Sequence, residues 1–307
     1  MDRFEAMTMF VQVAEQGSFS AAARVLNVPL PTLSRKISEL ETLLGARLLT
    51  RTTRKLTLTS TGEAYLSASR RILEQVSEAE REAAGEFSCP KGELIVTAPI
   101  MFGRMHVLPV VAEFLAAFPD INVRLVLSDN NLDLIDKNVD VALRIGNLPD
   151  SSMIATRAGV LRRVTCASPA LLDAFGTPRH PKDLHHWPAV ILNVAAMPEF
   201  SWRFCDRGSR AVIDTVMVPR LAVTTSESAV LAAEQGVGVI RALHYQVTDA
   251  LDRGTLRVML RDYEESPLPV HLVHMSPGQM ALKVRCFLDV AAPALRERLA
   301  GIAARDD

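Results

Sequence analysis

Cysteine is scarce: Cys89, Cys166, Cys205 and Cys286 are the only four in 307 residues, and no two form a CxxC pair. That spacing predicts neither a disulfide framework nor a zinc site, so the four read as free thiols, mostly buried. Long apolar runs are missing as well. Val107 to Phe118 comes nearest, but Pro109 and Glu113 interrupt it, and it falls short of the roughly 20 residues needed to cross a bilayer. The opening Met1-Asp2-Arg3-Phe4-Glu5 puts acids where an export signal would carry a basic cluster followed by an apolar core. A cytoplasmic location without a membrane partner is the expectation. Enzyme signatures are absent too. Gly236 and Gly238 lack a GxGxxG context, and no P-loop string or GxSxG elbow occurs. His185-His186 has no carboxylate or thiol at ligand spacing and reads as a surface pair. No catalytic residue, metal or cofactor is assigned.

Net charge is also low, −1 at neutral pH, but its distribution is uneven. Thr42 to Gly62 contains Arg47, Arg51, Arg54 and Lys55 and no acid. A phosphate backbone requires a local basic strip of this kind, whatever the whole-chain balance. What the chain has in quantity is apolar residues, 49 % against 22 % charged, the balance of a globular protein. At this length two or three domains can each bury a core.

Near the N-terminus Phe4, Met7, Val11 and Ala14 recur at helical spacing, and Gly17 ends the helix they predict. Ser18 caps a short second helix carrying Ala21, Ala22, Val25 and Leu26. Asn27, Pro29 and Pro31 delay a third helix until about Thr32. Leu33, Ile37, Leu40 and Leu44 form its apolar face, Ser34, Arg35, Lys36 and Ser38 occupy the others, and Gly45 ends it. Two helices around a tight turn, the second basic in front, make a helix-turn-helix. By periodicity alone a small helical bundle with a solvated charged face fits equally well. Leu56 and Leu58 alternate with Thr57 and Thr59 as in a half-buried strand. From Thr61 to about Gly85, the residues Tyr65, Ala68, Ile72, Val76, Ala79 and Ala83 make a seam suited to one partner helix, and too narrow for a globular core. That is a dimerisation helix, the alternative being a solitary helix packed on its own domain.

Composition changes at Ser88 to Gly92. Strand-like runs at 94–96, 123–127 and 139–143 then alternate with helical stretches near 105–118 and 132–137. Alternation of this kind predicts an α/β domain with a largely parallel sheet. Arg163 to Ala167 opens a second lobe, with further strands near 188–193, 202–204, 221–224 and 236–240, and Pro269 to Val273 returns to the first.

The order of details decides between the readings of the first 65 positions. Gln16-Gly17-Ser18-Phe19-Ser20-Ala21-Ala22-Ala23, Pro31-Thr32-Leu33-Ser34-Arg35-Lys36-Ile37, Leu44-Gly45-Ala46-Arg47-Leu48-Leu49 and Arg51-Thr52-Thr53-Arg54 together resemble the winged helix-turn-helix of LysR-type regulators. Ala98-Pro99, Phe102-Gly103, Arg144-Ile145-Gly146, Cys166-Ala167-Ser168-Pro169, Gly176-Thr177-Pro178 and Lys283-Val284-Arg285 extend the resemblance over nearly the whole chain. It implies a multidomain fold: an all-α-rich winged helix-turn-helix headpiece (1–60), a linker and dimerisation helix (61–87), and a two-lobed α/β effector-binding domain (91–304) like a periplasmic binding protein. Lobe I would comprise 91–162 and 268–304, and lobe II 163–267. The implied function is sequence-specific transcriptional regulation under a small organic effector bound between the lobes. Double-stranded promoter DNA, RNA polymerase and a homodimer assembling to a homotetramer are the implied partners, and no enzymatic activity is implied. The alternatives are a binding module with a degenerate headpiece, and an enzyme of unknown type.

The same resemblance assigns residues. Ser20, Leu30, Pro31, Thr32, Ser34 and Arg35 would contact DNA from the helix-turn-helix, with Arg35 able to pair a guanine edge or a phosphate. Arg51, Arg54 and Lys55 would meet the backbone from the wing. The chain departs from the family at Val28-Pro29-Leu30-Pro31, where a Ser-Gln pair is usual, so Leu30 offers apolar contact in place of an adenine-pairing amide. Tyr65, Ala68, Ile72, Val76 and Ala79 would dimerise. Effector lining would come from Pro99, Ile100, Met101, Phe102, Ser128, Arg144, Asn193, Trp202, Thr225 and Ser226. Pro99-Ile100-Met101 has none of the hydroxyls with which relatives hold a carboxylate. Either the pocket is more apolar than usual or Arg144 and Thr225 supply its polar grip, for an anionic or aromatic metabolite.

Overall fold

The computed structural model describes residues 2–51, 56–83, 90–130, 139–148, 153–192, 200–275 and 280–304, and the side chains at 51, 71, 78 and 81–83 fall outside that description. The chain divides into two compact units, Met1–Cys89 and Pro90–Asp307.

In the first unit, Asp2 caps α1 (Arg3–Gln16) by accepting from the N–H groups of Phe4 and Glu5, and Gly17 closes it at φ 59°. Its buried stripe is Ala6, Met9, Phe10, Val11 and Val13. Phe4 is exposed, and Met7 and Ala14 are only half-buried, so the expected face is rotated. Two apolar sets at helical spacing compete on this helix, and the one carrying Phe10 takes the core because it buries the larger area. Ser18 caps α2 (Phe19–Val25) through the Ala21 N–H, as its sequence predicts. Ala22 and Ala23 face α1, while Val25 is exposed. Asn27 adopts the left-handed conformation at φ 52°.

The third helix, α3 (Leu30–Leu44), starts ahead of the Thr32 expected, with Pro29 as N-cap and Pro31 in its first turn. A proline there forfeits only an N–H that has no helical partner anyway. Leu33, Ile37 and Leu40 are buried as expected, whereas Leu44 is exposed next to Gly45. Antiparallel β1 (Leu49–Arg51) and β2 (Leu56–Leu58) form the wing. Glu41 anchors it to α3, Oε1 accepting from the N–H groups of Leu48 and Leu49 at 2.7 and 3.0 Å. The long helix α4 (Ser60–Ala83) begins against the same strand, and a Cβ at Gly62 would stand 2.0 Å from the Leu48 carbonyl oxygen. No other residue allows that approach.

The second unit runs β3 (Gly92–Ala98), α5 (Ile100–Phe102), a π turn Gly103–Val107, α6 (Leu108–Ala117), β4 (Ile121–Leu127), β5 (Val141–Ile145) and β6 (Ile154–Leu161). It continues through β7 (Arg163–Ala167), α7 (Pro169–Phe175), β8 (Pro188–Leu192), β9 (Ser201–Cys205), β10 (Val212–Val216) and β11 (Val218–Val223). Then come α8 (Ser226–Glu234), β12 (Ile240–Leu243), α9 (His244–Asp252), β13 (Arg257–Met259), β14 (Leu268–His274) and α10 (Leu282–Ala304).

A five-stranded sheet has the order β4-β3-β5-β14-β6. β4, β3, β5 and β6 run in one direction, and β14 alone is reversed, antiparallel to both its neighbours. The sheet is thus largely parallel in strand direction, as expected from sequence, with one reversed strand, because β14 arrives directly from the second group of strands rather than through a crossover helix. That group forms β12-β7-β13, the parallel pair β11-β8 and the hairpin β9-β10. The two groups are joined only at Arg162 and at 264–267 among the described residues.

Pro109 does not break the apolar stretch around it. Residues Ile100–Ala117 form one helix of 18 residues, long and apolar enough by composition to cross a bilayer. Yet Phe102, Val107, Val110, Val111 and Phe114 pack into the core under the five-stranded sheet, with Phe287 and Leu295 of α10. The expected helix at 132–137 lies outside the described residues.

Candidate functional site

On the headpiece, the side of α3 away from its buried Leu33, Ile37 and Leu40 carries exposed Leu30, Pro31 and Arg35, with Thr32 and Ser34 half-buried beside them. Ser20 is exposed on α2. The Arg35 side chain is 68 % exposed and lies 3.9 Å from Glu39 one turn on. Lys36, by contrast, is held at 2.6 Å by Glu5 of α1. Arg51 contributes backbone to β1, and its side chain falls outside the described residues, as do Arg54 and Lys55 altogether. Arg47 of the basic strip is exposed before the wing, and Arg24, exposed at the end of α2, is a basic group that the sequence reading left out. Chemically the arrangement offers a guanidinium and an apolar patch on one protruding helix. A helix of this kind fits the roughly 12 Å major groove of B-DNA.

The seam residues of α4 divide. Tyr65 turns back into its own unit, its ring 5.6 Å from that of Phe10, and Arg70 pairs with Glu15 of α1 at 2.9 Å. Farther along, Ala68, Ile72 and Val76 are half-buried and Ala79 is exposed.

In the second unit the expected effector residues do not all face one place. Pro99 is the N-cap of α5, without a side-chain hydrogen bond. The N–H of Ile100 behind it donates to Asp129 Oδ1 at 2.9 Å. Met101 is half-buried, while Phe102 is fully buried, edge-on to Tyr245 of α9 and beside His106. Gly103 admits the helix so near β3 and β4 that a Cβ would meet Leu127 at 2.2 Å. Burial, with Arg298 adding to it, holds the His106 imidazole below its ordinary range. Ser128 closes β4, its N–H donating to the Ala98 carbonyl.

Arg144 shares a face of β5 with Ala142, which belongs to the cluster with Val273, and not with Val141 and Leu143 under α6 and α10. It therefore falls on the sheet face away from those helices. Trp202, 8 % exposed, is packed with Trp187, Phe204 and Met217. Thr225 caps α8 by accepting from the Ser228 N–H, and buried Ser226 accepts from Gln246 Nε2 at 3.0 Å. Asn193 lies outside the described residues. Thus Pro99, Ile100, Met101, Ser128, Thr225 and Ser226 stand at the ends of β3, β4 and α8, whereas Phe102 and Trp202 are core. Asp129, Glu227, Tyr245 and Gln246 join them and were not anticipated.

No group of histidines, cysteines or acids suited to a metal occurs among the described residues. His185 and His186 are exposed, their rings edge-on with centroids 4.9 Å apart. Of the thiols, Cys166 is buried and its pKa is pushed up to about 12 by burial, while Cys205 and Cys286 are half-buried. Cys89 lies outside the described residues.

Residues 4–63 match the family described as "Bacterial regulatory helix-turn-helix protein, lysR family". Residues 89–296 match "LysR substrate binding domain". An HTH-type transcriptional regulator of Xanthomonas campestris is 35 % identical over 92 % of this chain and 82 % of its own length. An HTH-type transcriptional repressor of Pseudomonas aeruginosa is 32 % identical over 94 % of this chain and 91 % of its own. Among solved structures, CrgA of Neisseria meningitidis, a LysR-type transcriptional regulator, is 30 % identical and superposes with a TM-score of 0.58, covering 95 % of this chain and 98 % of its own.

Proposed function

The chain belongs to the LysR family of transcriptional regulators, with a DNA-binding helix-turn-helix and an effector-binding domain, and from that premise we propose how its own residues divide the work. Arg35, flanked by Leu30, Pro31 and Ser34, reads bases from the major groove. Arg51, Arg54 and Lys55 meet the backbone from the wing, which Glu41 holds at a fixed angle to α3. The single observation that supports this most is the open guanidinium of Arg35, 68 % exposed on the face of α3 away from its buried leucines.

In this reading the headpiece spans 1–60, the linker helix 61–87 and the effector domain 91–304, with lobes meeting at 162–163 and 267–268. Two chains pair through Ala68, Ile72, Val76 and Ala79 and assemble further to a tetramer. Val216, Val218 and Leu231 on β10, β11 and α8 are exposed, and covering such apolar groups would favour the further assembly. The protein works in the cytoplasm, has no catalytic role, and acts on transcription through RNA polymerase.

Fragments of genomic DNA selected by the full-length protein and then footprinted test the proposal. Two protected half-sites about one helical turn or a multiple apart are expected. Selection that enriches no fragment over random DNA would overturn it.

A further inference from the structure

Leu30 is the first residue of α3 and stays 43 % exposed, although the turn before it packs its other apolar residues, Leu26 and Val28, against the headpiece core. The helix begins without a side-chain cap. Pro29 is the N-cap, Pro31 follows in the first turn, and both are exposed. Positions 28–31 thus carry no side chain able to donate or accept a hydrogen bond. One turn on, the chemistry changes. Residues four apart on a helix are neighbours, so Ser34 follows Leu30 in one row and Arg35 follows Pro31 in the next. Leu30, Pro31 and Arg35 are exposed, and Ser34 is half-buried. An apolar tip therefore leads into a hydrogen-bonding stretch on the same helix.

The base edges of the major groove present donors and acceptors, and the C5 methyl of thymine is the apolar group among them. A leucine set against a polar edge strips water from it and returns no hydrogen bond. Resting on the base-reading proposal above, we propose that Leu30 reads a thymine through its C5 methyl and so fixes one base of each half-site. The axial rise from Leu30 to Arg35 is roughly 7.5 Å, about two base steps, so this thymine lies within about two base pairs of the base that Arg35 reads. Specificity is then divided along one helix, with polar edges rejected at its first turn and paired at its second.

The test uses the full-length protein and a fragment that it selects from genomic DNA. Each thymine of a half-site is replaced in turn by deoxyuridine, which removes the C5 methyl and keeps every base-pairing group. Burying one methyl against a leucine corresponds to roughly fourfold in affinity, about 0.8 kcal/mol. One position per half-site is expected to lose that factor, and cytosine at the same position, which adds an unpaired amino group, is expected to lose more. Leu30→Ala removes an exposed side chain and inserts a good helix former. It is expected to bind the parent fragment more weakly by a similar factor, to bind random DNA as wild type does, and to be indifferent to the uracil replacement. Leu30→Met, apolar and of similar volume, is expected to keep the uracil penalty. The absence of any sensitive thymine, or a penalty that persists undiminished in Leu30→Ala, overturns the assignment to Leu30, and a penalty lost in Leu30→Met overturns the apolar contact. Selection that enriches no fragment fails the base-reading proposal itself, and is told apart because it fails before any methyl is removed.

Discussion

Arg35 is restrained only by an exposed pair with Glu39 at 3.9 Å. Such a pair contributes about 0–1 kcal/mol, less than the ~1–3 kcal/mol by which a bidentate guanine contact discriminates, so DNA wins the side chain. Arg35→Ala is expected to reduce discrimination between operator and scrambled DNA by about 1–3 kcal/mol in competition binding; unchanged discrimination would move base reading elsewhere on α3. Cys166 is the opposite case, fully buried, with a pKa raised from 9.0 to about 12. Between those two values the unfolded thiol has lost its proton and the folded one has kept it. Stability therefore falls as pH rises through that window, by up to about 1.4 kcal/mol per unit. Urea melts should show wild type losing stability relative to Cys166→Ala above about pH 9, and parallel curves would contradict the burial. Asp129 shows why part of the site was illegible. It serves a backbone N–H 29 positions earlier, and no local pattern announces a bond made across two parallel strands.

At the scale of elements, caps and turns were legible because they are local. Ser18, Gly17, Asn27 and Gly45 each act within a few residues of themselves, and the structure places all four as the sequence predicts. The face of α1 was misread because helical spacing accommodates two stripes, and only tertiary packing on Phe10 chooses between them. The direction of β14 was hidden for a similar reason, since strand pattern carries no orientation. Trp202 and Phe102 were expected from sequence to line the effector pocket, yet each is buried in its own core. The seam on α4 gives a prediction at this scale. Placing Asp at both Ile72 and Val76 sets charges in a helix pair that cannot solvate them. The dimer dissociation constant of the full chain should rise roughly a hundredfold, equivalent to about 3 kcal/mol. Sedimentation showing unaltered association would assign the seam elsewhere.

At the scale of the whole molecule, the chain crosses between the groups of strands at two places. Both are clasped by ion pairs. Glu264, 4 % exposed, takes Arg162 bidentately at 2.9 and 3.0 Å, and Glu265 takes Arg163 and Arg241 at 3.3 and 2.7 Å. Removing one partner leaves a poorly solvated charge, so Glu264→Ala should cost about 3–5 kcal/mol in calorimetric stability. A loss under about 1 kcal/mol would mean that water replaces the carboxylate freely. A ligand shifts a regulator of this kind only by its difference in affinity between arrangements. The most direct measurement is equilibrium binding of the full-length protein to a selected genomic fragment and to its scrambled counterpart across a series of salt concentrations. The selected fragment should bind tighter throughout, and affinity for both should fall with a log–log slope of about −0.9 per phosphate neutralised. Equal affinity for the two fragments, or binding that salt does not weaken, would contradict sequence-specific DNA recognition by this headpiece.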